Sequence, residues 1–454
     1  MKPVRKVRLA KQNRRDAKLG PRRTKTFGLV CILFALLVLF QIMGGVAGIS
    51  HSMARHALLQ RDTAKADWWL STFRWASSSL SETELLRARS ARFQGDIAGM
   101  NSHLQSAFRM GHDPRLLHRE ELLVAVGNGQ LDDPIEKDIN DWLSEPEADI
   151  ADILDNYTNG LASLSRFAEA RAFLFAWEKD LPTDPLPNYR MARIHEHLLQ
   201  VDVAEAEYRK AIAKSPTHVR ALFGLARLLL NQRKPADALE LFQRCNTGPT
   251  SLAARTGAAM CYDSLGETEK SLTILREVFA SGEKKIVDSY RSAGEVPERY
   301  VVASELGRIE NGLGNFVAAK TYLEAALQSS PRDTVARYSY AVALRGLGMT
   351  KEADESFAKT TAAREALDKV TGLQERIGKD STDTAARVLV GQIILQHESE
   401  RTGIYWIQSV FSYDPANLEA HAALADYFES KPDREEPKNR KLIEYHRSFV
   451  NKPK

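Results

Sequence analysis

A period of 34 residues runs through most of this chain and limits its fold more than any other feature of the sequence. Ala170, Ala204 and Ala238 stand 34 residues apart. The same register continues in both directions, mostly with small side chains and with two longer steps, through Ala66, Met100, Pro134, Ala170, Ala204, Ala238, Ser271, Ala319, Ala353 and Gly403. A repeat of this length predicts an array of similar units, each packed on its neighbours.

Two other positions recur with the same period. Twelve residues before each member of the series the side chain is usually small, as at Ala192 and Ala226. Four residues after each member it is usually large and apolar, as at Tyr208 and Phe242. Two antiparallel helices need a small residue where their axes cross and a bulky residue one turn later. The pattern therefore predicts helix pairs, joined by turns that contain Gly95, Gly266, Gly314 and Gly348.

This pattern resembles the tetratricopeptide repeat (TPR) over roughly residues 50–430, and most closely over Pro187–Thr247 and Arg299–Ala363. It departs from the family over Arg115–Leu143, where Pro134 takes the small position and Asp138 the bulky one. The family's Trp near the start of the first helix is absent. The resemblance implies an all-α, right-handed superhelical solenoid of antiparallel helix pairs, with about ten units over residues 50–434.

Two steps exceed the period, near residues 281–298 and 367–383. The first insertion is predicted to be a loop or a short helix off one edge of the array. The second keeps helical periodicity and predicts a second helix that runs to about Ile377, before Gly378 ends it. Asn439–Val450 is predicted to be a capping helix within a C-terminal segment of residues 435–454.

An apolar segment precedes the repeats. Phe27–Ile49 carries no charge, and as a helix it would span about 34 Å, enough for the hydrocarbon core of a bilayer. Residues 1–26 contain eleven basic residues and one acid. We expect a disordered cytoplasmic tail over 1–26, an uncleaved transmembrane helix over 27–49, and a solenoid on the non-cytoplasmic side, in a periplasm-like space. A signal peptide cleaved near Gly45, Val46 and Ala47 is the alternative. His51 and His56 are expected to be polar residues at the membrane interface.

Charge and motifs exclude several classes of function. The tail holds the excess positive charge, so the rest of the chain is mildly acidic and nucleic-acid binding is not expected. Phosphate-binding loops, nucleophile elbows and metal-ligand pairs are absent from the sequence, so we expect no enzyme activity, no cofactor and no metal. His195 is expected to pack in the core. Cys245 and Cys261 are expected to be buried thiols, with a disulfide between them as the alternative.

The resemblance implies that the first helix of each unit lines a concave groove. The candidate peptide-binding residues on these helices are Tyr189, Arg193, Phe223, Arg227, Arg308, Tyr338 and Arg345. Arginines can bind carboxylates in a bidentate manner and aromatic rings can anchor apolar side chains, so an acidic peptide is the expected ligand. The alternative is that the arginines pair with acids on neighbouring helices.

These observations predict a membrane-anchored scaffold or adaptor that binds partner proteins or peptides in envelope complex assembly. A ligand-binding or regulatory subunit of a membrane-associated enzyme or secretion complex is the alternative.

Overall fold

The structure is a computed structural model that describes residues 38, 45–59, 61–72, 80–127, 129–131, 133–144, 149–163, 166–198, 200–380 and 382–451. The predicted tail over 1–26 and most of the predicted transmembrane segment over 27–49 lie outside these residues. Within them, Gly45–Ile49 begins a helix that continues to Leu59. None of the described helices is both long enough and apolar enough to cross a bilayer.

The described part of the chain is helical and contains no β-strand. It divides into two compact units, Met1–Leu117 and His118–Lys454. The helices, in chain order, are α1 (Gly45–Leu59), α2 (Thr63–Thr72), α3 (Leu80–Gln94), α4 (Ile97–Arg109), α5 (Pro114–Gly127), α6 (Asp133–Leu143), α7 (Ile150–Ser163), α8 (Phe167–Asp180), α9 (Leu186–His197), α10 (Val201–Lys214), α11 (Val219–Asn231), α12 (Pro235–Cys245), α13 (Ser251–Ser264), α14 (Thr268–Ala280), α15 (Glu283–Ser292), α16 (Val301–Gly312), α17 (Phe316–Ser329), α18 (Thr334–Gly346), α19 (Thr350–Lys379), α20 (Thr384–His397), α21 (Glu400–Gln408), α22 (Leu418–Glu429) and α23 (Pro437–Val450).

The small positions of the period are buried where two helices of a pair cross, as predicted. Ala204 and Ala238 are fully buried, and only Pro134 of the series is exposed. Some crossings are so close that they require glycine. A Cβ at Gly224 would overlap the ring of Tyr208, and a Cβ at Gly257 would overlap the ring of Phe242. The bulky residue of one second helix therefore packs directly against the backbone of the next first helix.

The turn between the two helices of a unit requires a left-handed residue. Gly266, Gly314 and Gly348 adopt φ values of +86°, +77° and +77° there. Arg61 and Arg233 occupy the same turn position with φ of 59° and 60°. A residue with a Cβ is strained in this conformation, so these two turns are less favourable than the glycine turns.

The first unit is built on α1 to α4. Its core contains Ala54, Leu58, Leu70 and Leu86. The prediction for His51 as an interfacial residue is wrong, because its Nε2 lies 2.8 Å from the hydroxyl of Thr83 and its ring is buried between helices.

In the second unit, the two insertions have different outcomes. The second was predicted well, because α19 is one continuous helix that ends at Lys379; Gly378 lies inside its last turn. The second half of α19 packs against α20, with Val370 and Ile377 in a shared core. The C-terminal capping helix was also predicted, as α23.

The first insertion contains the short helix that was predicted, α15, followed by a loop. The predicted location off one edge of the array is wrong. Ile286 and Tyr290 are buried in the same core as the first helices α9, α11 and α13. The apolar side of α15 explains this position, because an edge location would expose both side chains to water.

Helix α21 returns to the first helices of the second unit. The hydroxyl of Tyr405 donates a hydrogen bond of 3.0 Å to the carbonyl oxygen of Ala162. The ring of His197 stacks on Tyr405, with centroids 5.2 Å apart, and the ring of Phe167 lies 6.2 Å from both, so the three rings form one cluster. Residues more than 200 positions apart in sequence are thus joined within one unit.

Three side-chain predictions are confirmed. His195 is buried and its Nδ1 lies 2.6 Å from the side-chain oxygen of Gln200. Cys245 and Cys261 are buried and form no disulfide. Burial raises the pKa of each thiol to about 12.

Candidate functional site

The seven candidate groove residues all lie on first helices of the second unit. Tyr189 and Arg193 are on α9, Phe223 and Arg227 on α11, and Arg308 on α16. Tyr338 and Arg345 are on α18. We call the side of α9, α11, α13, α16 and α18 that carries these positions the first-helix face.

Over α9, α11 and α13, helix α15 covers the first-helix face. The ring of Tyr290 meets that of Phe223 edge to face, with centroids 5.9 Å apart. The hydroxyl of Ser289 accepts a hydrogen bond of 3.0 Å from the backbone N–H of Ala253, near the start of α13. Phe223 and Tyr189 are 2% and 3% exposed, so their rings are packing residues here. The prediction that they offer free surface to a ligand does not fit this arrangement.

The loop after α15 approaches α9 at Gly294. A Cβ at this position would lie 2.6 Å from the hydroxyl oxygen of Tyr189 and 3.2 Å from the side chain of Arg220. Gly294 also has φ of +83°, so two independent constraints require glycine. The close approach places the next residue, Glu295, beside the arginines of α9 and α11.

Glu295 joins an ionic network on this face. Its Oε1 lies 2.6 Å from Nη1 of Arg193 and 3.3 Å from Nε of Arg227. Glu196 also binds both arginines, 3.2 Å from Arg193 and 2.5 Å from Arg227. The hydroxyl of Tyr208 donates a 2.7 Å hydrogen bond to Glu196. Two guanidinium groups and two carboxylates thus balance each other's charge.

Electrostatics fix the protonation states of this network. Burial alone would lower the pKa of Arg193, but Glu295 and the other neighbouring acids raise it well above its ordinary value. Burial also raises the pKa of Tyr208 well above its ordinary value. Both arginines therefore stay charged and the tyrosine stays neutral at physiological pH.

His197 lies beside the same network. The residue is exposed over part of its surface, while its ring stacks on Tyr405 and Phe167. Desolvation, followed by the positive charges of Arg193 and Arg401, lowers the pKa of His197 to about 4. Glu295 opposes this lowering of the pKa of His197 but does not cancel it.

The remaining candidates are more accessible. Arg308 binds Asp263 at 2.5 Å and Glu305 at 2.8 Å. Arg345, 57% exposed, binds Asp354 at 2.7 Å and lies over the ring of Phe357.

Tyr338, 41% exposed, meets Phe357 edge to face at 5.5 Å, and the guanidinium of Arg364 lies 4.7 Å from its ring centroid. We call Tyr338, Arg345, Phe357 and Arg364 the exposed aromatic–arginine cluster.

All four predicted arginines pair with acids of the chain, which is the alternative that the sequence left open. Sequence reasoning missed Tyr290 and Glu295, which occupy the face, and Arg364, which lies on α19. The pair of Glu295 with Arg193 spans about a hundred residues and belongs to a segment that occurs once, so no periodic signal could identify it. Among the described residues, no group of three or more His, Cys, Asp or Glu side chains could hold a metal ion.

Comparison with known proteins supports the repeat assignment for part of this site. Residues 189–250 match the tetratricopeptide repeat family. This segment comprises most of α9 and all of α10 to α12, which carry four of the candidate residues. A search of curated proteins finds no match.

Several solved structures match parts of this chain, all with TM-scores below 0.5. A tetratricopeptide repeat protein from Parabacteroides merdae is 13% identical, with 62% of this chain and 92% of that chain covered and a TM-score of 0.37. The human IFIT1 dimer with PPP-AAAA is 14% identical, with 88% and 95% covered and a TM-score of 0.40. YrrB, a TPR protein with an unusual peptide-binding site, is 17% identical, with 55% and 96% covered and a TM-score of 0.22.

Proposed function

We propose that this chain is a membrane-anchored scaffold without enzyme activity, which binds partner proteins or peptides on the non-cytoplasmic side during envelope complex assembly. The tetratricopeptide match over residues 189–250 supports a role in protein or peptide interaction. The single observation that carries the proposal is the exposed aromatic–arginine cluster on helices α18 and α19.

The cluster has the chemistry of a protein-binding surface. Tyrosine and arginine are, with tryptophan, the side chains most enriched among the residues that dominate binding free energy at protein interfaces. The cation–π and edge-to-face contacts hold Tyr338 and Arg364 in fixed positions, so little side-chain entropy is lost when a partner binds. A partner segment with an apolar side chain and a carboxylate fits this surface best.

Its accessibility follows from the long helix α19. Because α20 packs along the second half of α19, Val335 and Tyr338 of α18 stay 46% and 41% exposed. On α9 and α11 the corresponding positions are covered by α15. The first-helix face is therefore open at α18 and covered at α9.

The membrane anchor is supported by the sequence alone. Phe27–Ile49 has the length and composition of a transmembrane helix, and the basic residues 1–26 favour a cytoplasmic N-terminus. Protease added to spheroplasts of expressing bacteria should digest a tag placed after Lys454 and spare one placed before Met1. Digestion of the N-terminal tag alone would contradict the orientation.

Partner capture tests the binding surface. Full-length protein solubilised from membranes should co-purify a defined partner, and the double variant Tyr338→Ala, Arg364→Ala should lose at least about tenfold of it. Arg209→Ala is the matched control, because Arg209 is 59% exposed and forms one surface ion pair with Glu205. Equal capture by the double variant and the control would overturn the assignment of this surface.

A further inference from the structure

Arg193 and Arg227 form a two-arginine arrangement around the side-chain oxygen of Glu295. Both guanidinium groups reach the same Oε1, at 2.6 and 3.3 Å. Two cations that converge on one oxygen bind a carboxylate more strongly than a single surface pair does, since the site is partly screened from water. The side chains of Arg193 and Glu295 are only 23% and 17% exposed.

The charge of the surroundings favours an anion at this position. Removing Glu295 leaves Arg193 and Arg227 with Glu196 as their remaining acid partner, and Arg401 lies near enough to influence the same region. The empty site would then carry an excess of positive charge in a partly desolvated place, which is unfavourable until a carboxylate binds.

Glu295 comes from a segment that can release it without unfolding the unit. Helix α15 is held by its own buried residues, Ile286 and Tyr290, and by the hydrogen bond of Ser289 to α13. Its C-terminus is capped by backbone hydrogen bonds, including one from Glu295 N–H to the carbonyl of Tyr290 at 2.9 Å. The next residue, Val296, is 47% exposed. The Glu295 side chain can therefore rotate away while α15 stays packed.

We propose that Arg193 and Arg227 form a carboxylate-binding site whose internal occupant is Glu295, and that an acidic side chain of a partner binds there when Glu295 swings out. This inference rests on the proposed function, because it assigns a second contact for the same kind of partner. It differs from the exposed aromatic–arginine cluster in that the site is closed in the free protein.

Chemical rescue tests the site with a known probe. Glu295→Ala in the full-length protein should lower the Tm, and sodium propionate should raise that Tm more than sodium chloride at equal ionic strength. The matched control is Glu283→Ala, an acid of the same segment that bonds to the hydroxyl of Ser329 rather than to an arginine. Propionate should not raise the Tm of the control above the effect of chloride.

Access by a partner is tested with a labelled peptide. A fluorescent peptide of residues 292–298, added in trans, should bind Glu295→Ala at least about tenfold more tightly than wild type or Glu283→Ala. The same peptide with glutamine in place of the residue corresponding to Glu295 should lose this gain. If Glu295→Ala fails to fold, two other variants replace it. Glu295→Gln removes the negative charge of the occupant, and Gly294→Ala pushes the loop away from Tyr189. Each should bind the peptide more tightly than wild type does.

The inference would be overturned if, in folded variants, propionate did not raise the Tm above the effect of chloride and the peptide did not bind more tightly. Glu295 would then have a purely structural role. Failure of the partner capture at Tyr338 would leave these results unaffected, so the two proposals fail separately.

Discussion

Gly307 on α16 lies against Leu323 on α17 so closely that a Cβ at position 307 would overlap Cγ of the leucine. Leu323 is fully buried and has no room to move aside. This pair shows why the period alternates small and large residues, because the missing side chain of one helix is the space for the other.

Gly307→Ala should therefore destabilise the second unit by about 1–3 kcal/mol, even though alanine is the better helix former. Thermal unfolding of the full-length protein, followed by circular dichroism, measures the change. Gly312→Ala is the control in the same helix, since a Cβ there meets no atom within 4 Å. It should leave the Tm unchanged or raise it; a drop as large as that of Gly307→Ala would contradict the packing argument.

Arg233→Gly should stabilise the protein. Arg233 is exposed and holds φ of 60° in the turn between α11 and α12. Glycine removes the strain of the left-handed conformation, but it also increases the conformational entropy of the unfolded chain. We expect the free energy of unfolding to rise by about 0.5–1 kcal/mol as the net result. The Tm should rise by about 1–3 °C.

Gly314→Ala tests the same turn in the opposite direction, because Gly314 has φ of +77°. Its Tm should fall. If the Tm fell for both Arg233→Gly and Gly314→Ala, the turn at Arg233 would not be strained.

The C-terminal cap should weaken in mild acid. Nε2–H of His421 donates to the carbonyl of Pro415 at 3.0 Å, so Nδ1 of His421 accepts the proton of His446 Nδ1 at 2.8 Å. Burial, followed by the neighbouring His421, lowers the pKa of His446 to about 4. Between about pH 6.5 and pH 4 the unfolded chain then binds more protons than the folded one, so stability is complete above about pH 6.5 and falls as the pH falls.

We expect a loss of about 2 kcal/mol from His446 at pH 5 relative to pH 7, measured as the free energy of unfolding or as faster amide exchange in α23. The free energy of unfolding of His446→Gln should depend less steeply on pH than that of wild type, since the variant lacks one titrating group while the other histidines remain. If both proteins showed the same pH dependence, the His421–His446 pair would not be the cause of the loss of stability in acid.

The buried thiols should be inert. Because burial raises the pKa of Cys245 and Cys261 to about 12, almost no thiolate exists near neutral pH. In a Cys31→Ser background, native protein at pH 8 should incorporate no maleimide, and protein in guanidinium chloride should incorporate two labels per chain. Mass spectrometry counts the labels. Labelling of the native protein would show that this part of the core opens.

Periodicity predicted the helix pairs well because helix packing is local. Ala204 and Tyr208 could be assigned to the core from their register alone, since a packing position such as that of Tyr208 against Gly224 recurs in each unit. The same reasoning fails at Pro134, where the period continues in sequence but the residue is exposed at the start of α6.

The candidate site was only partly predictable for a different reason. Register placed Arg193 and Arg227 on one face, and the structure agrees. Register could not show that α15 folds back over Tyr189 and Phe223, because the position of a single insertion depends on contacts far along the chain. Ile286 and Tyr290 were the available signal that this segment packs on the core, since a helix at the edge of the array would expose two such apolar side chains to water.

The hydrogen bond from Tyr405 to Ala162 has a consequence for how this chain can change over generations. Arrays of repeats commonly lengthen or shorten by duplicating or deleting whole copies. Here the duplication of one helix pair between residues 197 and 405 would move Tyr405 away from its acceptor and from the rings of Phe167 and His197. We therefore expect the number of copies between residues 162 and 405 to change less readily than in an array whose copies contact only their neighbours.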